Sequence, residues 1–244
     1  SSPYVAEMVR REMLSRYGAN TYKAGFEVIT TLDSKLQRAA SYSLRNGLLE
    51  FTRRRGYKGP ITKLDIDVDV LQAPYDQWPE DIRLALADQP NPGGLDVAIV
   101  TALNEDNSAV IVLQDGSRSL LPWHGVSWAK PFVDRKTSGK APEIIDDVLA
   151  PGQIIHIMPT TLGSWALAQV PEVQGAIISV DPHDGAITSL SGGFDFTASK
   201  FNRAVQIARQ PGSAFKPFVY SAALERGNTV ATIVDDSPVV FESS

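Results

Sequence analysis

Arg209-Gln-Pro-Gly-Ser-Ala-Phe-Lys-Pro-Phe-Val-Tyr220 places a serine and a lysine three positions apart, directly after Pro211-Gly212. Pro-Gly introduces a helix that runs from Ser213 to Gly227, where its own glycine closes it. Pro217 is tolerated only near a helix start, where few N–H bonds are lost, so it independently puts Ser213 at the N-terminus. A serine hydroxyl is a weak nucleophile and needs a base within reach, and residues three apart share one helix face. Ser213 and Lys216 are therefore a candidate nucleophile and base. The positive end of the helix macrodipole, together with burial, disfavours a cation at that lysine. Spacing alone leaves a second reading open, in which Ser213 simply caps the helix. A second Ser-x-x-Lys, Ser127-Trp-Ala-Lys130, precedes Pro131 and follows Leu121-Pro-Trp-His-Gly125, so no helix of useful length is expected to hold that pair.

Upstream, Gly175-Ala-Ile-Ile-Ser-Val-Asp181 and Ala186-Ile-Thr-Ser-Leu190 flank Pro182-His-Asp-Gly185, the pattern of a hairpin. Before that, strand-like runs at 97–103, 109–113, 118–121, 154–158 and 165–170 are joined by Asn104-Glu-Asp-Asn107, Asp115-Gly116 and Leu162-Gly163. Five short strands of this kind suit a small closed barrel such as an OB fold. Leu64, Ile66, Val68 and Val70 alternate with acids and predict an edge strand with a charged outer face. The same stretch, Asp65-Ile-Asp-Val-Asp69, is a poor calcium loop, because Val70 and Asp76 stand where glycine and the bidentate glutamate belong.

Near the start, 3–17 is predicted as a short amphipathic helix, and Phe26-Glu-Val-Ile-Thr-Thr-Leu32 as a strand. Asp33 then caps a helix whose apolar face is Leu36, Ala39, Ala40, Leu44, Leu48 and Phe51, ending at Arg53-Arg-Arg55 and Gly56. Composition changes near Lys63, where prolines and glycines break any helical period. Val239-Val-Phe-Glu242 reads as a strand without a sheet to join, and both ends of the sequence read as cut.

The 244 residues are 43% apolar and 21% charged, with a net charge of −5. No segment is both apolar and long enough to cross a bilayer. The acidic balance argues against a nucleic-acid partner. With no cysteine, disulfides, thiolate metal sites and a cysteine nucleophile are excluded. His124, His156 and His183 lack metal-ligand spacing, so neither metal nor cofactor is expected. Trp78, Trp123, Trp128 and Trp165 are read as core anchors rather than a sugar-stacking platform.

The stretch 209–220, preceded by Gly192-Gly-Phe-Asp195 and Lys200-Phe-Asn-Arg203, resembles the active-serine region of class A penicillin-binding proteins, the bifunctional cell-wall synthases. Val28-Ile-Thr-Thr-Leu-Asp33 with Leu36-Gln37, and Gln174-Gly-Ala-Ile177, resemble other parts of the same family. Leu121-Pro-Trp123, Ser127-Trp-Ala129 and 168–175 resemble the OB-like insertion of its 1a-type subgroup.

The resemblance implies a mixed α+β chain: the N-terminal part of a penicillin-recognising serine transpeptidase fold with an inserted all-β OB-like barrel. Residues 1–62 would be a linker helix, strand and helix on the transpeptidase side, 63–172 the OB-like β-barrel insertion, and 173–244 the N-terminal part of the transpeptidase domain. It further implies that Ser213 attacks the D-Ala-D-Ala carbonyl of a peptidoglycan stem peptide and that Lys216 accepts its proton. The Ser213 backbone N–H would then be one oxyanion donor. Stem peptides, glycan strands, β-lactams, periplasmic activator proteins and the remaining portion of the synthase are the implied partners, at the periplasmic face of the bacterial inner membrane. Ser-x-Asn and Lys-Thr-Gly motifs, which the family also needs, are not in the sequence; Lys136-Thr-Ser138 is only a near match and precedes Ser213. The chain alone is thus expected to be inactive. The rival reading is a non-catalytic OB-like module that binds glycan or periplasmic regulators. A serine β-lactamase would need a hydrolytic water and a base of its own, for which the sequence holds nothing.

Overall fold

The computed structural model describes residues 2–237 except Arg135, Leu162, Arg209 and Asp236. The strand-like run Val239–Glu242 lies outside the described residues. The chain forms two compact units, Ser1–Gln206 and Ile207–Ser244.

The first unit opens with α1 (Pro3–Tyr17), which starts on a proline and ends at Gly18. The following segment does not become the strand expected at Phe26–Leu32. Its backbone is extended, but among the described residues its hydrogen bonds to the hairpin are only Asp33 N–H to the Thr188 carbonyl (2.9 Å) and Thr31 Oγ1 to the Ile187 carbonyl (2.7 Å). Ile29 is 89% exposed. β-Branched residues favour this backbone, yet a strand exists only where a neighbour completes the ladder.

Helix α2 (Ser34–Arg55) begins as the sequence predicts: the Asp33 carboxylate accepts from the N–H groups of Lys35 and Leu36 (2.8 and 2.9 Å). It ends at Gly56, whose φ of +108° suits glycine alone. Ala40, Leu44 and Leu48 are buried as predicted, whereas Leu36 and Ala39 are exposed and Gln37 is buried in their place.

Next come β1 (Thr62–Lys63), α3 (Val68–Gln72), α4 (Glu80–Ala87), β2 (Asp96–Leu103), β3 (Ser108–Leu113), β4 (Arg118–Pro122), α5 (Trp123–Val126), β5 (Gln153–Pro159) and β6 (Trp165–Ala168). The five strands read from the sequence are β2 to β6. The edge strand expected at Leu64–Val70 is not formed, because the Asp67 carboxylate accepts from the Asp69 N–H and turns Val68–Gln72 into a short helix. Helix α5 stops before Ser127, so no helix carries Ser127 and Lys130 together.

All pairings in this sheet are antiparallel, in the order β1-β5-β2-β3-β4, with β6 following β1 along the same edge of β5. The closed barrel expected here is not made: β4 and β6 approach one another, but no ladder joins them among the described residues. Helix α5 occupies that seam. A Cβ on Gly125 would lie 2.5 Å from the Trp165 carbonyl oxygen, so the helix backbone sits directly against β6.

Strand β2 is buried on both faces, and successive residues serve two cores. Ala98 and Val100 join Ile111, Leu121, Ile155, Ile157 and Leu167 on one side. Val97 and Ile99 meet Leu71, Trp78 and Leu86 on the other. Trp78 is thus the core anchor expected, and Trp123, Trp128 and Trp165 pack half-buried around the first core.

The hairpin follows as β7 (Ile177–Val180) and β8 (Ile187–Ser191), closed where Gly185 donates to the Asp181 carbonyl. Leu44, Leu48 and Leu49 of α2 gather Leu95, Ala168 and Phe194 into a third core, with Ile177 packed against it, so one helix ties the hairpin to the rim of the OB-like sheet. The Gln37 side chain completes this joint by donating to the Leu190 carbonyl and accepting from the Leu190 N–H, both at 2.9 Å. A one-turn helix, α6 (Arg203–Gln206), ends the first unit, and α7 (Lys216–Glu225) is the helix of the second.

Candidate active site

Ser213 lies in a 3₁₀ turn, Gly212–Phe215, that runs directly into α7. The turn starts on Gly212 with φ +51°, and the Lys216 N–H donates to the Ser213 carbonyl. Pro217 sits in the first turn of α7, as its missing N–H requires. The predicted helix over 213–227 is therefore a tight turn followed by an α-helix, with Lys216 rather than Ser213 opening the α-helical part. Gly227, φ +88°, closes it by donating to the Leu224 carbonyl (3.0 Å).

Serine and lysine thus sit three residues apart on a continuous helical path. Both residues are exposed, and among the described residues no hydrogen bond joins their side chains. Every residue of α7 except the half-buried Ala223 is exposed, although the helix carries Phe218, Val219, Tyr220 and Leu224. Phe215 and Phe218 stack at 5.5 Å beside the serine. An apolar helix with no covered face cannot desolvate a lysine, so the low-dielectric setting that sharpens such a pair is not supplied by residues 207–237.

The Gly192-Gly-Phe-Asp loop is rigid for identifiable reasons. Asp195 caps its own turn, with Oδ1 accepting from the N–H groups of Thr197 (2.6 Å) and Ala198 (3.0 Å), while Oδ2 accepts from the Gly93 N–H (2.6 Å). Burial raises the Asp195 pKa, but these bonds and one from the Thr197 hydroxyl outweigh it, and the carboxyl ends below its usual range. Tyr4 of α1 donates to the carbonyls of Asp195 and Ser199 (3.2 and 3.0 Å). Asn202 is buried against Gly192.

His124, His156 and His183 are dispersed. His156 is half-buried on β5, and desolvation lowers its pKa. Among the described residues no group of three acidic, histidine or cysteine side chains gathers as a metal site. Lys136-Thr-Ser138 lies in the loop between α5 and β5.

Residues 57–173 match the family model of the penicillin-binding protein OB-like domain, and residues 175–243 match that of the penicillin-binding protein transpeptidase domain. An OB-like sheet followed by a Ser-x-x-Lys turn within a transpeptidase-domain match defines the penicillin-binding class, and the chain belongs to that family. Penicillin-binding protein 1A of Pseudomonas aeruginosa is 44% identical over 99% of this chain and 28% of the relative. Penicillin-binding protein 1A of Escherichia coli K12 is 42% identical over 98% of the chain and 27% of the relative. The crystal structure of penicillin-binding protein 1A from Haemophilus influenzae superposes with a TM-score of 0.76 at 34% identity, covering 99% of this chain and 33% of that one. The chain spans about a third or less of the length of these relatives.

Two features escaped the sequence reading. Gln37 interrupts an apolar face, and its partner lies 153 residues away in sequence. Arg38, Tyr42, Arg45, Leu49 and Arg53 form a single helical stripe, a spacing visible in the sequence once the polar side of α2 is read as carefully as the apolar side.

Proposed function

We propose that this chain carries the nucleophile of a peptidoglycan DD-transpeptidase, with Ser213 acylated and Lys216 as its base. The observation that carries the reading is Ser-x-x-Lys at the mouth of a helix inside the transpeptidase match. The Ser213 hydroxyl attacks the penultimate D-Ala carbonyl of a stem peptide, and the free amine of Lys216 takes the proton. The Ser213 N–H steadies the oxyanion. Collapse breaks the peptide bond, and the departing D-Ala amine receives the proton. An amine from a neighbouring strand then attacks the acyl-serine and returns the proton to Ser213. β-Lactams acylate the same oxygen. Residues 63–172 form the inserted OB-like module, 1–62 and 173–244 belong to the transpeptidase side, and the parent protein works at the periplasmic face of the inner membrane.

Intact-mass analysis after incubation with penicillin tests the assignment. The 244-residue chain alone gains no stable adduct. A synthase carrying this sequence is labelled once. Ser213→Ala removes that label and Lys216→Ala slows it by about 10²–10⁴-fold. Undiminished labelling of the Ser213→Ala protein would sink the proposal.

A further inference from the structure

A groove of about 1000 Å³ runs along α2, lined entirely by residues of the first unit. One wall is the stripe Arg38, Tyr42, Arg45, Leu49 and Arg53, and the opposite wall includes Trp128 and Thr160 of the OB-like part. Sixteen positions of helix, Arg38 to Arg53, extend the stripe over about 22 Å at 1.5 Å per residue. The groove suits an extended chain rather than a compact metabolite.

None of the three arginines has a carboxylate within ion-pair distance among the described residues. Glu50 also lines the groove, but it pairs with Arg54. Two of the cations are held in place by uncharged groups. Arg45 Nε donates to the Phe194 carbonyl (3.1 Å), and Arg53 lies 5.4 Å over the Trp128 ring while donating to the Leu167 carbonyl (3.5 Å). Burial lowers the Arg53 pKa, and the nearby charge of Glu50 only partly offsets it. Arg38, at the open end, is exposed and makes no side-chain hydrogen bond among the described residues. Successive arginines are seven and eight residues apart, about 10–12 Å along the axis, close to the repeat of a disaccharide.

Spaced guanidiniums that lack counter-ions select carboxylates by bidentate hydrogen bonding. Between Arg38 and Arg45 the exposed Tyr42 ring offers an aromatic face on which a pyranose ring can stack. We propose that this groove binds an uncross-linked glycan strand along α2, with the carboxylates of successive peptide substituents on Arg38, Arg45 and Arg53. The choice of occupant rests on the transpeptidase reading, and the groove itself does not.

Binding is measured by calorimetry on the 244-residue chain, with muramidase-free glycan oligomers bearing tetrapeptides as the probe. Chitotetraose and poly-γ-glutamate serve as the neutral and the acidic comparison. The tetrapeptide-bearing oligomer binds, and its affinity falls with added salt. Arg38→Gln and Tyr42→Ala, both at exposed positions that leave the core intact, each weaken it about tenfold. Equal affinity for chitotetraose, equal affinity for poly-γ-glutamate, absence of binding, or indifference to both substitutions overturns the proposal. Penicillin acylation of Ser213, measured separately on a synthase carrying this sequence, reports on the transpeptidase reading alone. A protein that is acylated yet binds no glycan here refutes the groove and spares the nucleophile.

Discussion

Replacing Gln37 with alanine removes the side chain that satisfies both backbone groups of Leu190. Leu190 is 1% exposed and Gln37 5%, so water has little access to either orphan. An unsatisfied buried donor or acceptor costs about 1–3 kcal/mol, so the two together cost about 2–6 kcal/mol. In a chain of this size each kcal/mol lowers Tm by about 2–4 °C, which predicts a fall of about 4–24 °C. Calorimetry reads the global effect. Hydrogen exchange locates it: the Leu190 amide loses protection, while Ile155 in the OB-like core keeps its own. Gln37→Glu sharpens the test, because it keeps an acceptor for the Leu190 N–H but sets a carboxylate against the Leu190 carbonyl. Protonation restores the missing donor, so this variant recovers stability relative to wild type as pH falls through the carboxylate range. If both variants melt within about 1 °C of wild type and the Leu190 amide exchanges as slowly as before, the joint between α2 and β8 does not rest on this side chain.

Gly56→Ala requires a side chain at φ +108° and a Cβ 2.8 Å from the Lys130 carbonyl, a backbone atom already held by the Tyr57 N–H. It lowers the urea midpoint by an amount equivalent to about 2 kcal/mol or more with the slope unchanged, and an unaltered midpoint would disprove the contact. Asp195, whose pKa is depressed on folding, contributes stability that is present above its unfolded value near 3.9 and is lost as pH drops through its folded value. Asp195→Asn is accordingly less stable than wild type at neutral pH and loses less on acidification; acid limbs of equal steepness would contradict this.

Much of the framework was legible because its signals are local. Asp33 and Gly56 bracket α2 with a cap and a positive φ, and Pro182-His-Asp-Gly185 sets the hairpin. The double-sided burial of β2 follows from the unbroken apolar run Val97–Val100. The failures share a cause. Leu64–Val70 has the alternation of a strand, but Asp67 offers its carboxylate to a neighbouring N–H, and one local bond outweighs a pattern that needs a distant partner. Phe26–Leu32 has the propensity and the extended backbone without the pairing. Closure of the sheet turned on Gly125, whose missing side chain admits a helix where two strands would have met. At the site, the order of residues was readable and the helix start was missed by one tight turn, whereas burial of Ser213 and Lys216 depends on what packs over α7, which spacing does not report.

Where the chain enters the OB-like sheet, the Lys58 N–H donates to Gln169 Oε1 (2.6 Å) and the Lys58 ammonium to Glu172, beside the point of departure. More than a hundred residues thus leave and return through one doorway. Such an arrangement makes the module portable: it can be lost, lengthened or exchanged between proteins by a short splice, because the host backbone on either side already ends in the same place.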